Sequence, residues 1–117
     1  MRPEERDLAY LWDMLDAART ALEFTRGTTF HNYDRDRKLQ LAVERLVEII
    51  GEAARHVSEP FREQHADIPW RKIVAQRHVL AHDYGDIQQE RLWLLVTEHL
   101  PDLVRRLEPL VPPAPES

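Results

Sequence analysis

No cysteine occurs among the 117 residues, so neither a disulfide framework nor a thiolate metal site is available. That fits a reducing compartment, and the cytoplasm is the expected location. Glycine is nearly as scarce, with three copies, and no uninterrupted apolar run approaches the roughly 20 residues of a membrane span. The opening Met1-Arg2-Pro3-Glu4-Glu5-Arg6 has no apolar stretch of the secretory kind, so the reading is a soluble, unsecreted protein. Positive charge is also short. A formal net charge of −5 argues against a protein that coats duplex nucleic acid, while leaving room for a local basic cleft. A Walker-type loop, GxGxxG and GxSxG are all absent, which removes any independent case for nucleotide hydrolysis, a dinucleotide fold or acyl transfer.

What is present is 43% hydrophobic beside 32% charged residues, the balance of helices that bury one face and solvate the other. The length suits one domain with one core. Leu8, Leu11, Leu15, Ala18 and Leu22 recur at steps of three and four, predicting a helix from Glu5 to about Thr25 that Gly27 ends. Thr28 to Tyr33 follow neither period and read as a loop, with Asp34 as a cap for a second helix from about Arg35 to Val57. Gly51 inside that helix costs roughly 1 kcal/mol relative to alanine, which close packing against another helix or subunit would explain. Ser58-Glu59-Pro60 closes the helix and starts a short helical turn through His65.

A third helix begins near Pro69, carries Trp70, Ile73, Val74 and Leu80, and frays around His82, because Asp83-Tyr84-Gly85-Asp86 has turn chemistry. A fourth runs from about Gln88 to Leu107 with Leu92, Leu95, Val96, His99, Leu103 and Leu107 inward, and Pro101 predicts a kink or a break. With no strand signal, the expected fold is all-α: an antiparallel helical bundle of four main helices plus a short one, over residues 1–108. The proline-rich 109–117 reads as an extended, flexible tail.

Between Pro69 and Tyr84, Arg71, Lys72 and Arg77 face a single acid, Asp83, so the segment is locally positive in an acidic chain. Histidine can move a proton at a ribose 2′-hydroxyl or a leaving oxygen, and an arginine fork can hold the phosphate and its developing charge. Arg77 and His82 therefore suffice for RNA cleavage by internal attack. Residues five apart on an unbroken helix differ by roughly 140° in direction, so the two converge only where the helix ends near them. Two other readings stand beside this one. An arginine near a helix end often caps carbonyls or pairs with a carboxylate, and a histidine there is often a satisfied polar residue. His78 and His82, four apart, would also share a helix face as metal ligands with Asp83 or Asp86, though no HExxH glutamate lies between them.

Arg77, four intervening residues, His82, one residue and Tyr84 resemble the signature of HepT-like toxins in the HEPN superfamily, with His78 at the polar position after the arginine. Ile49-Ile50-Gly51-Glu52-Ala53, Ile68-Pro69-Trp70-Arg71-Lys72-Ile73-Val74 and Asp83-Tyr84-Gly85-Asp86-Ile87 look like the family as well, so the resemblance spans about Arg6 to Leu107. It implies a dimeric helical bundle whose two motif copies line one cleft, and a metal-independent endoribonuclease with no cofactor. Arg77 and His82 would carry cleavage, and His78 would support the cleft. The implied partner is a minimal nucleotidyltransferase antitoxin, MntA, that transfers AMP from ATP onto Tyr84 and silences the toxin. Adenylate there would bring negative charge and bulk to the place RNA phosphate must occupy. Glu52 would be the family's polar residue near the dimer seam. The contrasting function is a non-catalytic helical module that docks a minimal nucleotidyltransferase.

Overall fold

The computed structural model describes residues 2–76 and 88–112, and among them every regular element is helical. Helix α1 (Pro3–Thr25) starts with proline in its first turn, where a missing N–H costs nothing, and has Glu4 and Glu5 at the positive end of its dipole. It stops where Gly27 takes φ 75°, the left-handed conformation glycine adopts without a Cβ penalty. The expected loop is instead a short helix, α2 (Phe30–Asp34), whose first turn is capped by the Thr29 hydroxyl accepting from Asn32 N–H at 3.2 Å. Asp36, not Asp34, caps α3 (Arg37–His56), accepting from Leu39 N–H at 3.1 Å. Ser58 caps the short α4 (Glu59–Gln64), and α5 (Trp70–Ala75) begins just after Pro69.

The last helix is continuous but not uniform. Helix α6 (Gln89–Leu94) passes through a π-helical turn (Leu95–His99) into α7 (Leu100–Leu107), with Leu100 N–H donating to Leu95 C=O. The kink or break expected at Pro101 takes this form. Proline has no N–H for the carbonyl four residues back and crowds it, and a widened turn just before the ring relieves both problems without interrupting the helix. The extra residue in that turn shifts the inward stripe, so Leu100 is buried and His99, expected inward, is exposed. Beyond α7 the chain forms a 3-10 turn (Glu108–Leu110), with Leu110 and Val111 packed against the core. The start of the expected tail is thus folded, and residues 113–117 lie outside the described residues.

The core is formed by Leu11, Met14, Leu15 and Ala18 of α1, Val43, Val47 and Ile50 of α3, and Leu92, Val96, Leu103 and Leu107 of the last helix. Asp7, near the start of α1, accepts from Ser58 N–H at 2.8 Å and Oγ–H at 2.6 Å just past the end of α3, so the two long helices are antiparallel. Among the described residues no helix is long and apolar enough to cross a membrane.

Candidate functional site

Arg77, His78, His82 and Tyr84 all fall within 77–87, outside the described residues, so the structure brings none of them together or apart. It describes the frame that holds both ends of their segment. On the N-terminal side, Trp70 is buried, donates its indole N–H to His65 C=O at 3.0 Å, and meets Phe61 edge-on at 6.4 Å between centroids. Its neighbour Ile73 is buried too, and α5 lies so close to α3 that a Cβ on Gly51 would stand 3.4 Å from Ile73 C=O. This is the helix-on-helix packing that the mid-helix glycine implied.

On the C-terminal side, Gln88 C=O accepts from Leu92 N–H to start the last helix, and Gln89 is held by two neighbours at once. Its Oε1 accepts from the Tyr33 hydroxyl at 2.5 Å, and its Nε2 donates to Glu44 Oε2 at 2.8 Å. Glu44 also faces Arg37 at 3.6 Å. Tyr33 is fully buried against Trp93, 5.1 Å away, and Gln40 donates to the Tyr33 and Asp34 carbonyls at 3.1 and 3.0 Å, fixing α2 on α3. Burial first, then the nearby Glu44 and Asp34 charges, push the Tyr33 hydroxyl well above its ordinary pKa, so it stays protonated and donating. Helix α3 thus supports both ends of the motif segment, Gly51 at one and Glu44 at the other.

A groove of about 330 Å³ opens between α5 and the last helix. Lys72, Gln76, Arg91, His99 and Asp102 contribute its polar lining, and Ile73, Leu94 and Leu95 part of its apolar lining. Asp102 accepts from Arg105 at 2.7 Å and Arg106 at 2.8 Å, and those bonds, Arg106 foremost, hold its carboxyl below the usual range. Its charge is therefore largely offset. Among the described residues no three His, Cys, Asp or Glu side chains cluster as metal ligands, and the His78/His82 pair lies outside them. Glu52 is exposed and accepts from Arg55 at 2.7 Å, with His56 at 3.2 Å, two partners that lower its pKa.

The Tyr33–Gln89–Glu44 chain and the groove were not anticipated from sequence. The one local signal in this stretch was Thr29, a residue type that caps helices, ahead of a helix too short to show a period.

The described residues define an all-helical bundle in which one long helix braces both ends of a basic, histidine-bearing segment. A family model described as Ribonuclease HepT-like matches residues 14–110. The chain is 39% identical over 101 residues to a Thermococcus cleftensis protein named as a ribonuclease HepT, covering 86% of this chain and 92% of that one. It is 35% identical over 105 residues to a Methanocaldococcus jannaschii protein named as an RNase, covering 89% and 96% of the two chains. A Caldanaerobacter subterraneus protein, also named as an RNase, is 29% identical over 102 residues, covering 87% and 91%. No solved structure matches the chain. The chain belongs to the HepT-like ribonuclease family of the HEPN superfamily.

Proposed function

We propose that the protein is the toxin of a toxin–antitoxin pair, an endoribonuclease that cleaves RNA without a metal. The observation that carries this is the spacing Arg77, four residues, His82, one residue, Tyr84, lying within the matched span and between α5 and α6. In this reading His82 takes the proton of a ribose 2′-hydroxyl as the 2′-oxygen attacks the neighbouring phosphorus. The bond from phosphorus to the 5′-oxygen breaks, a proton returns to that oxygen, and Arg77 stabilises the charge building on the phosphate. His78 adds a polar group to the same cleft. A homodimer sets two motif copies facing each other, and a minimal nucleotidyltransferase antitoxin of the MntA kind transfers AMP from ATP to the Tyr84 oxygen, which loses its proton and bonds to the α-phosphorus as the α–β anhydride bond breaks and pyrophosphate leaves.

The test is RNA cleavage by the purified chain in the presence of a chelator. Cleavage persists without free divalent metal, and Arg77→Ala and His82→Ala each lower the rate by about 10²–10⁴-fold. Variants that cleave as fast as the parent remove the catalytic assignment, and chelator-sensitive activity would return the reading to the His78/His82 metal pair.

A further inference from the structure

The groove between α5 and the last helix takes no part in the chemistry just described, yet its lining suits a particular ligand. We infer that it holds one nucleotide of the RNA strand next to the cleavage motif. Lys72 and Arg91 grip the phosphate, and the apolar wall at Leu94 supports the base. The inference rests on the ribonuclease reading for its ligand, and on the geometry for its place.

The groove's volume, about 330 Å³, is at the lower end of the roughly 300–1,000 Å³ typical of small-ligand pockets. Leu94 is 49% exposed, so a large apolar side chain stands in water at the edge of the groove, where the flat face of a base would cover it. Lys72 and Arg91 are exposed, and neither pairs with a carboxylate among the described residues. Among the described residues Asp102 is the one acid that lines the groove, and Arg105 and Arg106 offset its charge. His99, turned outward by the π-turn, adds a group able to donate to phosphate. Gln76 Oε1 is buried and has no hydrogen-bond partner among the described residues, an acceptor suited to a ribose hydroxyl or a base N–H. Gln76 directly precedes Arg77, so this site and the motif are consecutive along the chain.

A single strand is the fitting form of ligand. A pocket this small takes one nucleotide, and a chain of net charge −5 offers too few cations to follow a duplex backbone.

The experiment titrates a fluorescent single-stranded RNA decamer with the full chain carrying His82→Ala, so that the RNA survives, across a range of salt. Adding Lys72→Ala and Arg91→Ala weakens binding at least tenfold and reduces the salt slope by about 0.7 for each phosphate that is no longer neutralised. With His82 restored, the same pair raises the half-saturating RNA concentration about tenfold and changes the saturated rate less than threefold. Lys72→Gln with Arg91→Gln repeats the test with polar side chains in place, in case the alanine pair does not fold. Unchanged affinity and half-saturation in a chain that does cleave RNA overturns the subsite and leaves the ribonuclease reading intact. Loss of RNA affinity in a chain that never cleaves RNA defeats the ribonuclease reading and keeps the subsite. A parent chain that binds no RNA overturns it.

Discussion

Tyr33 donates its buried hydroxyl to Gln89 Oε1 at 2.5 Å across 56 residues of sequence, pinning the first turn of α6 where the motif segment ends. Tyr33→Phe leaves that amide oxygen without its donor and costs about 1–2 kcal/mol of stability, read from urea unfolding at neutral pH. The burial of this hydroxyl gives a signature at high pH. Burial raises the folded-state pKa above the ordinary value of 10.0, so above about pH 10 the unfolded chain releases a proton that the folded chain keeps. Stability then falls with rising pH, at up to about 1.4 kcal/mol per pH unit for one proton. Tyr33→Phe declines less steeply between pH 9 and 11.5 than the parent. Equal slopes in the two chains would show that Tyr33 does not titrate differently on folding.

Asp7 and Ser58 make the corresponding tie at the opposite end of the bundle, where the carboxylate accepts both the backbone N–H and the hydroxyl of Ser58. Removing the acceptor with Asp7→Ala leaves a partly buried N–H unpaired and loosens the cap of α4, at a cost of about 2–3 kcal/mol in denaturant unfolding. Ser58→Ala keeps the backbone bond and costs less, about 1 kcal/mol. Equal losses in both variants would mean that the hydroxyl, and not the backbone N–H, carries the tie.

Gly51 separates two opposing effects. Alanine there gains up to about 1 kcal/mol of helix preference, and its Cβ meets Ile73 C=O at 3.4 Å, an ordinary contact. Gly51→Ala therefore stays within about 1 kcal/mol of the parent, on the stable side. Gly51→Leu has no such space, forces α5 off α3, and costs about 1–3 kcal/mol. Because α5 leads into Arg77, RNA cleavage falls with it. A leucine variant of parental stability and activity would show that the α3–α5 approach is not tight.

These residues also mark what the sequence could reveal. The stripes of α1 and α3 were legible because a long helix repeats its buried face many times, Gly27 because its φ of 75° favours glycine, and Gly51 because a glycine inside a helix signals a neighbouring element close by. Helix α2 was not legible, since five residues are too few to show a period and Thr29 capping depends on one hydroxyl. His99 was placed inward by spacing alone, and the π-turn moved the stripe to Leu100. Asp7 and Gln89 owe their roles to partners 51 and 45 to 56 residues away, which no local pattern encodes. The motif itself is legible as spacing, while its geometry belongs to residues 77–87, outside those described.

The proposed silencing of the toxin makes the last prediction, because Tyr84 is the one motif residue assigned to regulation and not to cleavage. Incubating the parent with its cognate nucleotidyltransferase and ATP adds one adenylyl group, seen by intact mass, and RNA cleavage stops as the adduct forms. Tyr84→Phe has no oxygen to attack the α-phosphate of ATP, so it gains no group there and continues to cleave RNA beside an active transferase. The physical cause of silencing is checked with the same adduct. If charge repulsion contributes beside bulk, raising the salt concentration restores part of the RNA affinity of the adenylylated chain, whereas occlusion alone gives no recovery. A Tyr84→Phe chain that is still modified and shut off would move the acceptor to another residue, and a parent that is modified yet still cleaves would detach modification from control.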